Sequence, residues 1–118
     1  MNIIIGERGA GKTMKLLHIS AEKKIPIVAG TVGHAKFLKN KAEEYGLIIP
    51  EPIVYTRNLN ERIRGTDISE VLVDDAELML SHLLGIDINT MTISDESNME
   101  RPGRTVTIME PVCKEKQE

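Results

Sequence analysis

A chain of 118 residues with a net charge of −3 and 41% apolar residues suits one domain with a single buried core. It has no long apolar run, which excludes a transmembrane helix. Its only cysteine, Cys113, excludes an internal disulfide and a multi-cysteine zinc site, so a reducing cytoplasm is the expected setting.

Asn2, Ile3, Ile4 and Ile5 form a short apolar run that fits a buried parallel strand. Gly6, Glu7, Arg8, Gly9, Ala10, Gly11, Lys12 and Thr13 follow and read G-x-x-x-x-G-K-[ST]. Glycines in such a loop let the backbone turn tightly and present its N–H groups to phosphate oxygens. Lys12 can reach the β- and γ-phosphates, and the Thr13 hydroxyl can ligate Mg²⁺. Residues 13–24 read as a helix with Met14, Leu17 and Ala21 on one stripe, and its N-terminus favours negative charge. A glycine-rich turn in an unrelated α/β protein is the competing reading, and the order of strand, loop and helix argues against it. No leader peptide is expected ahead of a loop that opens at Gly6.

Residues 25–29 look like a second buried strand, with Pro26 tolerable at its beginning. After a turn at 30–34 a helix is expected to about Tyr45, with Leu38, Ala42 and Tyr45 inward and Phe37 beside them. Lys36, Lys39, Lys41 and Glu43 face out, and Gly46 is a helix stop. Pro50 and Pro52 forbid a regular helix and lead into a third strand at 53–56. A short helical turn is expected near Asn58, a fourth strand at 68–74, and an apolar helix at 75–84 closed by Gly85. Residues 88–93 fit a fifth strand and residues 105–109 an edge strand. The expected organisation is one domain over 1–110 and a charged, flexible tail over 111–118.

Strands alternating with helices imply a mainly parallel sheet with helices on its faces and a ligand outside the carboxyl ends of the strands. The expected fourth strand ends in two acids, Val71-Leu72-Val73-Asp74-Asp75. Mg²⁺ prefers hard oxygen ligands, and Asp74 can supply one beside Thr13 although the two stand 61 residues apart. Asp75 is then placed to orient or deprotonate an attacking water. Capping of the following helix is the competing role for both acids.

With these two motifs the chain resembles the P-loop NTPases. Gly6 to Thr13 match the Walker A motif and Val71 to Asp75 the Walker B motif. Within that family it resembles the branch with an additional strand between the two motif strands, as in helicase and RecA-like ATPase cores. In size and layout it is similar to small stand-alone P-loop proteins of bacteriophages and prophages. The resemblance covers roughly residues 1–95. It implies a three-layer α/β/α domain with a mainly parallel five-stranded sheet in the order 5-1-4-3-2. It implies a nucleotide held by Gly6, Glu7, Arg8, Gly9, Ala10, Gly11, Lys12, Thr13 and Met14. Mg²⁺ falls to Thr13 and Asp74, and Lys12 and Asp75 take the catalytic roles. Ser94 falls where that branch often places a polar sensor of the γ-phosphate. Many members carry glutamate where Asp75 stands, and neither a second RecA-like domain nor a marked arginine finger is present. Arg57, Arg62, Arg64, Arg101 and Arg104 are the available arginines, each also readable as a plain surface residue.

Charge and minor residues refine the picture. Residues 1–41 carry +6 and residues 42–118 carry −9. The basic half could attract an anion, although solvated helix lysines account for it as well. His18 reads as structural, His34 and His82 have no partner at metal-ligand spacing, and Cys113 has no visible base. The expected function is Mg²⁺-dependent binding and slow hydrolysis of a nucleoside triphosphate, ATP in the first place. It would act as a small ATPase or switch with a protein partner or in a homo-oligomer. DNA stays open as a partner without support from net charge, and no membrane is expected. A protein-binding regulator or inhibitor on a degenerate P-loop scaffold is the second reading. A nucleoside or nucleotide kinase is the third.

Overall fold

The computed structural model describes residues 2–7, 9–92 and 98–100. The elements run β1 (Asn2–Ile4), α1 (Lys12–Lys23), β2 (Ile27–Ala29), α2 (Val32–Glu44), β3 (Ile53–Val54), α3 (Leu59–Ile63), β4 (Leu72–Val73), α4 (Ala76–Leu84) and β5 (Asn98–Glu100). Their contacts form two units, one of residues up to Lys12 together with 98–100, the other Thr13–Thr92. In the first unit β1 and β5 pair in parallel, Ile3 opposite Met99.

The second unit is built on a parallel sheet in the order β3-β2-β4. Val28 lies opposite Ile53 on one side and Val73 on the other. Ile27, Val28 and Ala29 are all buried, as a strand flanked on both sides should be. Two further bonds lengthen the ladders, from the Tyr55 amide to the Ala29 carbonyl and from the Leu72 amide to the Pro26 carbonyl. Pro26 has no N–H, but its carbonyl still serves the sheet.

Helix ends follow local chemistry. α1 buries Leu16, Leu17 and Ser20. Ser20 is fully buried, and its hydroxyl donates to the Ile25 carbonyl at 2.7 Å in the turn into β2, so this buried hydroxyl is paired. α2 starts at an N-cap, Thr31, whose Oγ1 accepts from the His34 amide. It ends in a Schellman motif, with Gly46 at φ +70° and bonds from Gly46 to Glu43 and from Leu47 to Ala42. α2 packs on β2 and β3 and buries Ala35, Leu38 and Ala42. α4 begins at Asp75, buries Met79, and closes on Gly85 at φ +74°.

Several sequence expectations are corrected. β2 pairs with both β3 and β4, so β3 does not lie between β4 and β2 as the order 5-1-4-3-2 requires. The prolines explain this: Pro50 and Pro52 precede β3 and cannot donate to a ladder, which suits an edge. Residues 88–92 form no strand, and the partner of β1 is β5 further on. Asn89 disfavours a strand, and its side chain is bonded by the Thr90 hydroxyl. The α1 stripe runs through Leu16, Leu17 and Ser20, with Met14 and Ala21 half-buried. Tyr45 is exposed rather than inward, as is Phe37 beside the stripe, while Leu38 and Ala42 are buried and the short side chains of Ala35 and Ala42 share that face. The expected strand at 105–109 and the tail at 111–118 lie outside the described residues. Among the described residues, no helix is long and apolar enough to cross a membrane.

Candidate phosphate and metal site

Residues 6–12 belong to the first unit. Gly9 and Gly11 sit at φ +82° and +91°, a region that other residues enter only with strain. A Cβ at either would meet nothing within 4 Å, so backbone conformation, not space, demands glycine. The Ala10 amide donates to the Glu7 carbonyl at 3.0 Å, closing the turn. The Lys12 ammonium donates to the same carbonyl at 2.7 Å, so its side chain folds back along the loop. Glu7 is exposed, Gly6 and Ala10 are half-buried, and Arg8 lies outside the described residues. Met14, one residue into the second unit, is half-buried on α1.

The second unit carries Asp74. This residue follows β4 directly, at the carboxyl edge of the parallel sheet. The Thr13 hydroxyl lies 3.3 Å from Oδ1 and 3.4 Å from Oδ2 of Asp74. The Asp74 side chain is only 11% exposed. His34 Nε2–H donates to Oδ2 at 2.8 Å. A carboxylate this withdrawn from water needs such partners. The sequence expectation that Thr13 and Asp74 meet is thus met in space. A hydroxyl and a carboxylate are hard donors of the kind Mg²⁺ takes alongside waters and phosphate oxygens, so the pair fits that ion. Among the described residues no cluster of three or more His, Cys, Asp or Glu assembles as a metal site.

His34 is the residue that sequence reasoning missed. Spacing along the chain hid it, because 40 residues separate it from Asp74. The signal was there in outline: Thr31 is a helix cap at the end of β2, which places His34 in the first turn of α2 above the same sheet edge. Phe37, one turn on, stacks on the His34 ring with centroids 5.8 Å apart and planes 24° from parallel.

Asp75, the next residue, is the N-cap of α4. It sits at φ +62°, ψ +69°, and its Oδ1 accepts from the Leu78 amide at 3.3 Å. The capping role weighed for it is therefore real, and aspartate is among the residues that tolerate this backbone region. Ser94, Arg101 and Arg104 lie outside the described residues. Arg62 is engaged structurally, donating to the Val54 carbonyl and the Thr56 hydroxyl at 2.9 Å each. Arg57 and Arg64 are exposed. His18 is exposed on α1, and the His82 ring lies beside Gly30, where an added Cβ would come within 3.0 Å of Nδ1.

Comparison of the chain with protein-family models, with curated proteins and with solved structures gives no match.

Proposed function

We propose that this chain binds a nucleoside triphosphate with Mg²⁺ and hydrolyses it slowly, as a small ATPase or nucleotide-dependent switch. The observation that supports this most is the meeting of Thr13 with Asp74. A phosphate-loop threonine and an acid at an apolar strand's end, far apart in sequence, come within 3.3 Å of each other. In this reading the loop amides of residues 6–11 and Lys12 bind the phosphates. Thr13 and Asp74 would hold Mg²⁺, which when bound neutralises phosphate charge. Asp75 orients the attacking water. The fold that goes with the reading is a three-layer domain on a five-stranded, mainly parallel sheet, with the strand order amended where β2 separates β3 from β4. Hydrolysis is slow because no arginine is marked as a finger, so a protein partner or another copy supplies the missing charge. A cytoplasmic setting follows from this substrate.

A second reading is favoured by Asp75. Its carboxylate caps α4, and a chain that has lost water activation would bind partners on a degenerate scaffold. Calorimetric titration of ATPγS and ADP, with Mg²⁺, into wild type and Lys12→Ala separates the two. Binding by wild type that is lost in Lys12→Ala is the expected result. No binding by wild type up to millimolar nucleotide overturns the ATPase reading and leaves the regulator.

A further inference from the structure

We infer that His34 is a positioning residue for the metal-binding carboxylate of Asp74; this rests on the nucleotide-and-Mg²⁺ reading of the same site. The two oxygens of Asp74 are used differently. Oδ2 accepts the short bond from His34 Nε2 at 2.8 Å, while Thr13 Oγ1 approaches both oxygens at 3.3 and 3.4 Å. The firm bond fixes the plane of the carboxylate, and the longer contacts leave the oxygens on the Thr13 side open to exchange partners. A carboxylate ligand oriented by an outer hydrogen bond holds a cation better than a free one.

His34 is itself held at both ends. Its backbone amide donates to Thr31 Oγ1 at 3.0 Å, which fixes the first turn of α2. Its ring is stacked on Phe37 on one side and bonded to Asp74 at its tip. The imidazole is 29% exposed, so water can reach it but does not replace the carboxylate as its partner. The buried residues of α2 are Ala35, Leu38 and Ala42, and the half-buried His34 is not among them. A side chain that is dispensable to the core and bonded to a near-buried carboxylate serves that carboxylate. In this scheme His34 touches neither the phosphates nor the attacking water. Its effect passes through Asp74.

The test uses Mn²⁺ as the probe and measures its affinity for the protein–ATPγS complex from the free-ion electron paramagnetic resonance signal. ATPγS affinity in EDTA is measured beside it. His34→Ala should weaken Mn²⁺ by about tenfold, the lower end for loss of an outer partner, and leave metal-free ATPγS affinity within about twofold. His34→Gln, whose amide can donate to Asp74 in place of Nε2, should recover most of the loss. Phe37→Leu should shift Mn²⁺ in the same direction by less. Unchanged Mn²⁺ affinity in His34→Ala overturns the inference while the parent reading stands. Equal losses with and without metal, unrelieved in His34→Gln, overturn it in favour of a folding role. Absence of Mn²⁺-dependent ATPγS binding in wild type overturns the parent reading, and the inference falls with it.

Discussion

The hydroxyl of Thr31 accepts a hydrogen bond from the backbone N–H of His34, 3.0 Å away. One cap therefore does two things. It satisfies an amide that the first turn of α2 would leave unpaired, and it orients the turn that delivers the imidazole to Asp74. Thr31→Ala should destabilise the protein by about 1 kcal/mol, the usual cost of a lost N-cap. Thr31→Ser keeps an oxygen at the same position and should stay within about 0.3 kcal/mol of wild type. Urea denaturation of the three proteins decides it. Equal stability of Thr31→Ala and wild type would show that water caps this helix as well as threonine does.

Just past the C-terminal end of α1 a strained residue offers a gain. Lys24 sits at φ +58°, a left-handed conformation that costs a side-chain-bearing residue about 1 kcal/mol or more. Its amide still closes the helix onto the Ser20 carbonyl at 2.9 Å. Lys24→Gly should raise stability by about 0.5 kcal/mol, since relief of strain exceeds the extra chain entropy of glycine when unfolded. Lys24→Val, β-branched, should lower it by at least about 1 kcal/mol. A thermal melt in which the glycine variant is the less stable protein would contradict the assignment of strain to this position. The lost contact of Lys24 Nζ with the Ala21 carbonyl is exposed and counts for little.

How much of this was readable beforehand follows from what kind of interaction sets each feature. Helix limits were legible because single residues punctuate them: Gly46 and Gly85 take positive φ at helix ends, and Asp75 caps α4. The central strand was legible as an apolar run, Ile27-Val28-Ala29. Strand order was not, because parallel neighbours are joined by backbone bonds that carry no side-chain code. The prolines before β3 were the one available hint of an edge. β5 was missed because Asn98, Met99 and Glu100 lack an apolar pattern, while residues 88–92 have one and form no strand. The contact of Thr13 with Asp74 was legible through the residue types that a Mg²⁺ site would demand. His34 was not, since its link to Asp74 exists only once β2 and β4 lie side by side.

Thr13 carries the next prediction. Its hydroxyl is the only part of the side chain that faces Asp74 at bonding distance, and that contact is long. Thr13→Ser should therefore bind ATPγS like wild type. Thr13→Ala should lose about tenfold of the affinity that Mg²⁺ adds, about 1.4 kcal/mol. Its loss of folding stability should be under about 1 kcal/mol, because a 3.3 Å bond from a neutral donor contributes little on its own. The ratio of ATPγS dissociation constants with Mg²⁺ and with EDTA is the quantity to compare. A ratio unchanged in Thr13→Ala would remove Thr13 from the metal site.

Asp75 has two claims on one carboxylate, and substitutions separate them. Oδ1 accepts from the Leu78 amide, the backbone is left-handed at φ +62°, and the residue is exposed. Asn at this position keeps an oxygen for the cap and tolerates the backbone, so Asp75→Asn should lie within about 0.5 kcal/mol of wild type in stability. Asp75→Ala loses the cap and keeps the strain, and should cost about 1–2 kcal/mol. The chemistry divides differently. An amide cannot take a proton from water, so Asp75→Asn should slow hydrolysis by about a hundredfold or more if the carboxylate activates the nucleophile. ATPγS affinity should not change, because the Asp75 carboxylate is bonded to the Leu78 amide, while the contact to Asp74 is made by Thr13. Single-turnover hydrolysis beside calorimetry reads both quantities on one preparation. A fully active Asp75→Asn would leave the residue as a helix cap alone. In the proposed ATPase, water would then have to be oriented by another group, and the slowness expected of hydrolysis would rest on that group rather than on the shortness of aspartate.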